Sequence, residues 1–332
     1  MLPPCPICDG PRRVCFHTQI LGQYDADYWF CPACGLVQPE TPTWLDEAYS
    51  SAITKTDIGL VGRNVQNCRK IACLLFFCFG TQGRYLDIGG GYGLFVRLMR
   101  DTGFDYYWAD EYCQNIFAQG LEAEHAEKPF TGLSAFEVME HIGSPLAFIR
   151  DNLRQTEART LIFSQELYRP TPQGEPPAPG DWWYYSPAIG QHISLYQART
   201  LDTLAGKLGL RRYSYQTTHI FTDKKLNSRL LPVLLGKPSL ALHESHDIAG
   251  HGRRPPRRRP AAASLTAFRP PPSSRRRRPL PRAGLCYRHL VAVATPLISR
   301  RTSDERPSLG RPSRGRKHRT TNAISCPAGQ SN

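Results

Sequence analysis

The sequence is easiest to place by what it does not contain. Its start, Met1-Leu2-Pro3-Pro4-Cys5, has neither a basic cluster nor an apolar run, so no export signal is read and a cytoplasmic location is expected. Its most apolar segment, residues 71–79, is nine residues long, where a bilayer span needs about 20. No membrane partner is expected. The glycine cluster near residue 90 has no lysine behind it. Tyr92-Gly93-Leu94 stands where a phosphate-binding P-loop requires Gly-Lys-Ser/Thr. Counted from Gly89, Leu94 also occupies the third glycine position of the dinucleotide fingerprint Gly-x-Gly-x-x-Gly.

Acidic residues are scarce in one region only. Residues 246–332 hold 3 Asp+Glu against 20 Lys+Arg, and Lys317 is the single lysine there. Residues 1–245 hold 22 Lys+Arg and 25 Asp+Glu, a net charge of −3. The basic balance of the chain therefore belongs to its tail and gives no argument for nucleic-acid binding by the folded part. The tail alternates Arg253-Arg254, Arg257 to Arg259 and Arg275 to Arg278 with proline and serine. Such a composition buries too little apolar surface to order itself, so residues 246–332 are expected to be disordered. Two readings of it stay open. One is an arginine-rich arm for a polyanion. The other is a GC-rich gene read out of frame, which raises Arg, Pro, Ala, Gly and Ser together.

Of what is present, the cysteines speak first. Eleven cysteines without an export signal argue for reduced thiols rather than a disulfide framework. Cys5-Pro6-Ile7-Cys8 and Cys31-Pro32-Ala33-Cys34-Gly35 are two Cys-x-x-Cys turns with 22 residues between them. That spacing lets two thiolates of each turn face one tetrahedral ion. Residues 1–40 therefore read as a small zinc ribbon, with Cys5, Cys8, Cys31 and Cys34 as structural zinc ligands. Cys15 and His17 are spare donors left outside that set. Cys68, Cys73 and Cys78 read as small buried hydrophobes.

The organising stretch is residues 84–100, Arg-Tyr-Leu-Asp-Ile-Gly-Gly-Gly-Tyr-Gly followed by Leu94, Phe95, Val96, Leu98 and Met99. It reads as strand, glycine turn and helix, the opening of a βαβ unit. A glycine turn lets a ligand lie against the backbone, and the first N–H groups of the following helix are free to receive it. Residues 106–110 read as the next strand. Asp110 lies 19 positions after Gly91, the spacing at which an acid reaches ribose hydroxyls, and Glu111 beside it could share that role. Helices are expected over 57–79, 116–124, 145–155 and 200–210. A strand is expected over 159–164, with a strand pair or hairpin over 212–221. The rim outside the strand ends would then carry Asp87, Asp110, Glu137, Glu140 and Glu166.

The pattern Asp87-x-Gly89-x-Gly91-x-Gly93 resembles motif I of the class I S-adenosylmethionine (SAM) methyltransferases. The resemblance implies an α/β fold with a Rossmann-like seven-stranded sheet over residues 41–245. It implies SAM as cofactor, with Gly89, Gly90, Gly91 and Gly93 along its methionine part. The run ending Glu137-Val138-Met139-Glu140-His141 resembles the fourth-strand region of the family, which places Glu137 and the Glu140-His141 pair beside the cofactor. Thr131 stands where that strand is usually opened by an acid, and Glu124 and Glu127 are the candidates for the adenine amine. Residues 190–196, after the aromatic run 182–185, are similar to a segment of zinc-ribbon sugar C-methyltransferases. There a Glu-His pair follows a tyrosine and its histidine takes part in proton removal, and here the pair is Gln191-His192.

These features together point to methyl transfer from SAM to a small-molecule acceptor, a sugar or sugar nucleotide being one form. His192 is the expected general base, His141 its competitor, and Tyr185 or Glu140 its helper. Two other readings remain: an RNA base methyltransferase, and a non-catalytic zinc-stabilised SAM-binding module.

Overall fold

The computed structural model describes residues 2–49 and 58–236. The tail 246–332, the proposed boundary at residue 245 and part of the connector lie outside the described residues. The chain opens with two strands, β1 (Arg13–Ile20) and β2 (Tyr24–Phe30), paired antiparallel from Arg13↔Phe30 to Ile20↔Tyr24. The short β3 (Val37–Pro39) pairs with the far side of β2. Alternation along β2 buries Ala26, Tyr28 and Phe30 on one face, as the period of two in a strand requires. That face does not close on itself. It packs on Trp44, on Leu45 of the single-turn helix α1 (Leu45–Ala48), and on Tyr168, Tyr184, Tyr185, Ile193 and Leu195 from much later in the chain. Val37 and Leu195 exchange backbone bonds of 3.0 and 2.9 Å.

The second sheet contains β4 (Arg84–Ile88), β5 (Asp105–Ala109), β6 (Gly132–Ala135), β7 (Thr160–Ser164), β8 (Arg211–Tyr215) and β9 (Thr218–Thr222). Their order is β5-β4-β6-β7-β9-β8. The first four are parallel, and the β8–β9 hairpin closes the sheet antiparallel. β6 and β7 are buried throughout, because helices cover both faces of a parallel sheet. One face carries α2 (Leu60–Cys78), α3 (Leu94–Asp101) and α6 (Leu231–Leu235), through Ile71, Leu74, Leu75, Phe95, Met99 and Leu234. The other carries α4 (Pro145–Thr156) and α5 (Ala198–Leu208), through Ile149, Leu153, Leu201 and Leu204. Cys5, Ile7, Cys31, Cys34 and Leu36 belong to this second core. The N-terminal cysteine turns are thus packed into the sheet domain rather than set apart from it.

Two expectations change. The sheet has six strands among the described residues, not seven. The helix expected over residues 116–124 is also absent, and only a 3-10 turn, Ala123–His125, forms there. The residues that could have made a further strand beyond β5 give one parallel bridge, Trp108↔Glu122. Asn115 shows why. Its side-chain oxygen accepts from the Ala118 N–H at 2.9 Å, and its amide donates to the Ala118 carbonyl at 2.8 Å and to Glu122 at 2.7 Å. A side chain that bonds its own backbone in this way offers an alternative to a regular element. No helix among the described residues is long and apolar enough to cross a membrane.

Candidate active site

β4 ends at Ile88, and the chain turns through Gly89, Gly90, Gly91, Tyr92 and Gly93 into α3. Gly89, Gly91 and Gly93 take φ values of 66°, 55° and 82°, the left-handed region that favours glycine. A Cβ on Gly89 would lie 2.6 Å from Val138, one on Gly90 2.7 Å from Trp108, and one on Gly93 2.8 Å from Asn115. Those three glycines are required by the protein's own packing. Gly91 differs: a Cβ there meets nothing within 4 Å among the described residues. It is the point of the turn at which a ligand can lie against bare backbone.

Asp110, at the end of β5, is tied to the same point. Its Oδ2 accepts from the Gly91 N–H at 2.8 Å, and its Oδ1 accepts from the N–H groups of Tyr112 and Cys113 at 2.7 and 2.8 Å. The Trp108 indole N–H donates to the Gly91 carbonyl at 2.9 Å. Asp87 lies beneath the turn, 3% exposed, and the Ser134 hydroxyl donates to its carboxylate. Burial pushes the Asp87 carboxyl up to about 7 against the opposing Ser134 bond, with the charge of Asp110 adding to the rise. Glu111 is exposed, as are Glu124 and Glu127 beyond the β5 edge.

The turn after β6 abuts the glycine turn, since Val138 is the neighbour that crowds Gly89. Glu137 takes a left-handed φ of 56°. Its backbone N–H donates to the Ser164 hydroxyl at 2.7 Å, which donates back to its carboxylate at 2.7 Å. Arg63 of α2 lies 3.9 Å from the other carboxylate oxygen. Partial burial and the neighbouring Glu140 raise the Glu137 carboxyl.

Glu140, His141 and His192 converge: one ligand atom from each lies within 4.8 Å of those of the other two. Glu140 is 1% exposed. Its Oε1 accepts from the Tyr184 hydroxyl at 2.7 Å, and its Oε2 has no hydrogen-bond partner among the described residues. His141 Nδ1 lies 3.0 Å from the Gln191 carbonyl and 2.8 Å from the Tyr49 hydroxyl. His192 Nδ1 lies 2.7 Å from the Tyr184 carbonyl. A carbonyl only accepts, so each histidine donates from Nδ1 in these contacts. Burial, and then the neighbouring His192, push His141 down to about 4.

The expected helper Tyr185 is elsewhere. Its hydroxyl donates to the Pro177 carbonyl at 2.8 Å, and its ring packs on Phe16, Tyr28 and Trp182. Tyr184 takes the place, with its ring centroid 4.4 Å from that of His192. Residues 183–185 form a 3-10 turn, in which successive side chains diverge by about 120°, so two adjacent tyrosines cannot face one site. Sequence reading missed Tyr184 and Tyr49. The aromatic run carried the signal for the first, but not the choice within it. Gln191, where the resembling enzymes carry glutamate, donates its amide to the Ala48 carbonyl at 2.7 Å. A carboxylate could not make that bond.

The four N-terminal thiols form a second group. Cys5 and Cys34 sulfurs are 3.6 Å apart, those of Cys8 and Cys31 are 3.4 Å apart, and all four lie within 4.8 Å of one another. Asp9 and Gly35, each following the second cysteine of its turn, take φ values of 62° and 81°. Cys15 bonds the Tyr28 carbonyl and His17 faces Asp25 and Asp27, so neither joins the group.

Residues 62–215, less than half of the chain, match a family model described as a methyltransferase domain. The parallel-rich sheet of mixed α/β fold over those residues is in keeping with that match. No curated protein matches the chain. Among solved structures it is similar to TnmH, at 15% identity over 55% of this chain and 62% of that one, with a TM-score of 0.38. It is similar to the mitomycin 7-O-methyltransferase MmcR, at 12% identity over 55% and 60%, with a TM-score of 0.37. It is also similar to human N-acetylserotonin methyltransferase in complex with SAM, at 10% identity over 55% and 66%, with a TM-score of 0.34. The chain spans less than two thirds of the length of each.

Proposed function

We propose that the protein moves the methyl group of SAM to a small-molecule acceptor. The observation that carries this is Gly91: one open position in an otherwise crowded glycine turn, held by Asp110 and lying on the same strand-end rim as Glu140, His141 and His192. The turn Gly89 to Gly93 would lie along the methionine part of SAM, with Glu137 nearby, and Asp110 with Glu111 beside the ribose. SAM is a charged sulfonium whose methyl leaves readily to an aligned nucleophile, so the chain's main contribution is to hold both partners in line. An oxygen or carbon acceptor must also lose a proton. The group that serves this step is the Glu140–His141–His192 cluster, with Tyr184 rather than Tyr185 bonded to it. A sugar or sugar nucleotide is the finer form of the acceptor. Trp183, 73% exposed, packs edge-on against the Tyr184 ring and would offer it a flat apolar face.

Cys5, Cys8, Cys31 and Cys34 would hold a structural zinc ion. Tetrahedral Zn–S bonds of about 2.3 Å put sulfurs about 3.8 Å apart, close to the spacing here. Four thiolates leave no coordination position for a substrate, so the ion would serve folding only. Calorimetric titration of the full chain with SAM, followed by methyl transfer from labelled SAM to a panel of hydroxylated acceptors, tests the reading. Failure to bind SAM contradicts it.

A further inference from the structure

We infer that Glu140, His141 and His192 bind a divalent first-row metal ion at the acceptor side of the cofactor rim, distinct from the four-thiol site. Three features of the structure meet there. First, a carboxylate and two imidazoles, drawn from the turn after β6 and from a loop some 50 residues later, offer ligand atoms within 4.8 Å of one another. Second, Glu140 is 1% exposed, yet its Oε2 has no hydrogen-bond partner among the described residues. A buried carboxylate oxygen needs a donor or a cation, and both neighbouring imidazoles already turn Nδ1 to backbone carbonyls. Third, the supporting bonds are those a metal site uses. Each histidine donates Nδ1–H to a backbone carbonyl, and the Tyr184 hydroxyl holds the other oxygen of Glu140. Such partners fix the orientation of ligand side chains in metal sites.

Donor chemistry narrows the ion. Two imidazoles and one carboxylate suit Mn²⁺, Fe²⁺, Co²⁺ or Zn²⁺, whereas four thiols favour zinc among these. Three protein ligands leave positions open, unlike the closed four-thiol set. An ion with open positions favours an acceptor that presents an oxygen lone pair, because it can polarise that oxygen and ease loss of its proton. This last point rests on the proposed methyl transfer; the metal site itself does not.

The test uses the full chain, purified with its zinc and titrated with Mn²⁺ while the free ion is followed by electron paramagnetic resonance. One Mn²⁺ per chain is expected, with at least a tenfold loss of affinity in His192→Ala and in Glu140→Gln. Both variants should keep their zinc content and melting midpoint. Glu140→Gln retains an oxygen to accept the Tyr184 hydroxyl, so it guards against a folding artefact in the other. If the full chain takes up no Mn²⁺, and neither Co²⁺ nor a second zinc replaces it, the inference is overturned. Equal uptake by both variants overturns it too. A parallel SAM titration separates the two claims: SAM binding without metal uptake leaves methyl transfer standing and removes the metal, and metal uptake without SAM binding does the reverse.

Discussion

Among the described residues there are two clusters of donor side chains, and they differ in how they are made. The four thiols come from two short turns whose spacing is written in the chain, and each turn shapes itself through local bonds such as Asp9 N–H to Cys5 carbonyl and Gly35 N–H to Cys31 carbonyl. The Glu140–His141–His192 cluster comes from one turn and a distant loop. It is assembled by tertiary contacts: Ile193 and Ser194 N–H groups both donate to the Glu140 carbonyl, at 2.8 and 2.9 Å. The first cluster is closed and sits in the core shared with α5. The second follows directly on Val138, which abuts Gly89 of the glycine turn. A closed cluster suits stability, and an incomplete one suits chemistry.

If that contrast is right, breaking the closed cluster should harm the whole domain. Cys31→Ser should lose zinc, which in small zinc domains supplies on the order of 10 kcal/mol of folding free energy. Because Cys31 and Cys34 pack with Leu201 and Leu204, the melting transition of the entire domain should collapse, not only protection of the N-terminal residues. Metal analysis and calorimetric melting check this. Retained zinc, or an unchanged midpoint, would show that the ribbon is not a closed structural site.

Breaking the open cluster should spare the fold and remove turnover. His192→Ala should cost about a hundredfold or more in rate, with SAM affinity unchanged, once a competent acceptor is in hand. Steady-state kinetics beside a SAM titration read both quantities. Equal loss of SAM affinity would mean that His192 supports the cofactor instead.

The adjacent tyrosines sharpen the comparison. Tyr184→Phe leaves the buried Glu140 without its remaining partner, a loss of about 1–3 kcal/mol that should appear in turnover. Tyr185→Phe removes only the bond to the Pro177 carbonyl, worth about 1 kcal/mol, and should lower the melting midpoint slightly with no change in rate. The reverse ranking would restore Tyr185 to the site.

The least effect is expected at the end of the chain. Cutting after Ser245 should leave both SAM affinity and melting midpoint where they were, because the basic composition beyond it has little apolar surface to contribute. A fall in either, measured by the same calorimetry, would show that the tail packs on the domain.

How much of this was legible in the sequence follows from the same contrast. Features carried by contiguous residues were readable: the strand-glycine-helix run from Arg84, the Gly91–Asp110 spacing, the paired cysteine turns, and the closing hairpin. Features set by tertiary contact were not. Nothing in β2 says that Tyr28 packs on Tyr185, or that Val37 pairs with Leu195. Among the described residues no strand forms beyond β5, where Asn115 makes local bonds that an apolar pattern does not record. Gln191 looked like a weakened catalytic pair, and only the Ala48 carbonyl reveals why an amide stands there.

The central claim is that the glycine turn and Asp110 hold SAM. Isothermal titration of the full chain with SAM, repeated on Asp110→Ala, tests it most directly. One SAM per chain and at least a tenfold weaker affinity in the variant, which loses its bonds to Gly91, Tyr112 and Cys113 together with any bond to the ribose, is the predicted result. No heat of binding in the full chain, or the same affinity in both proteins, would contradict it.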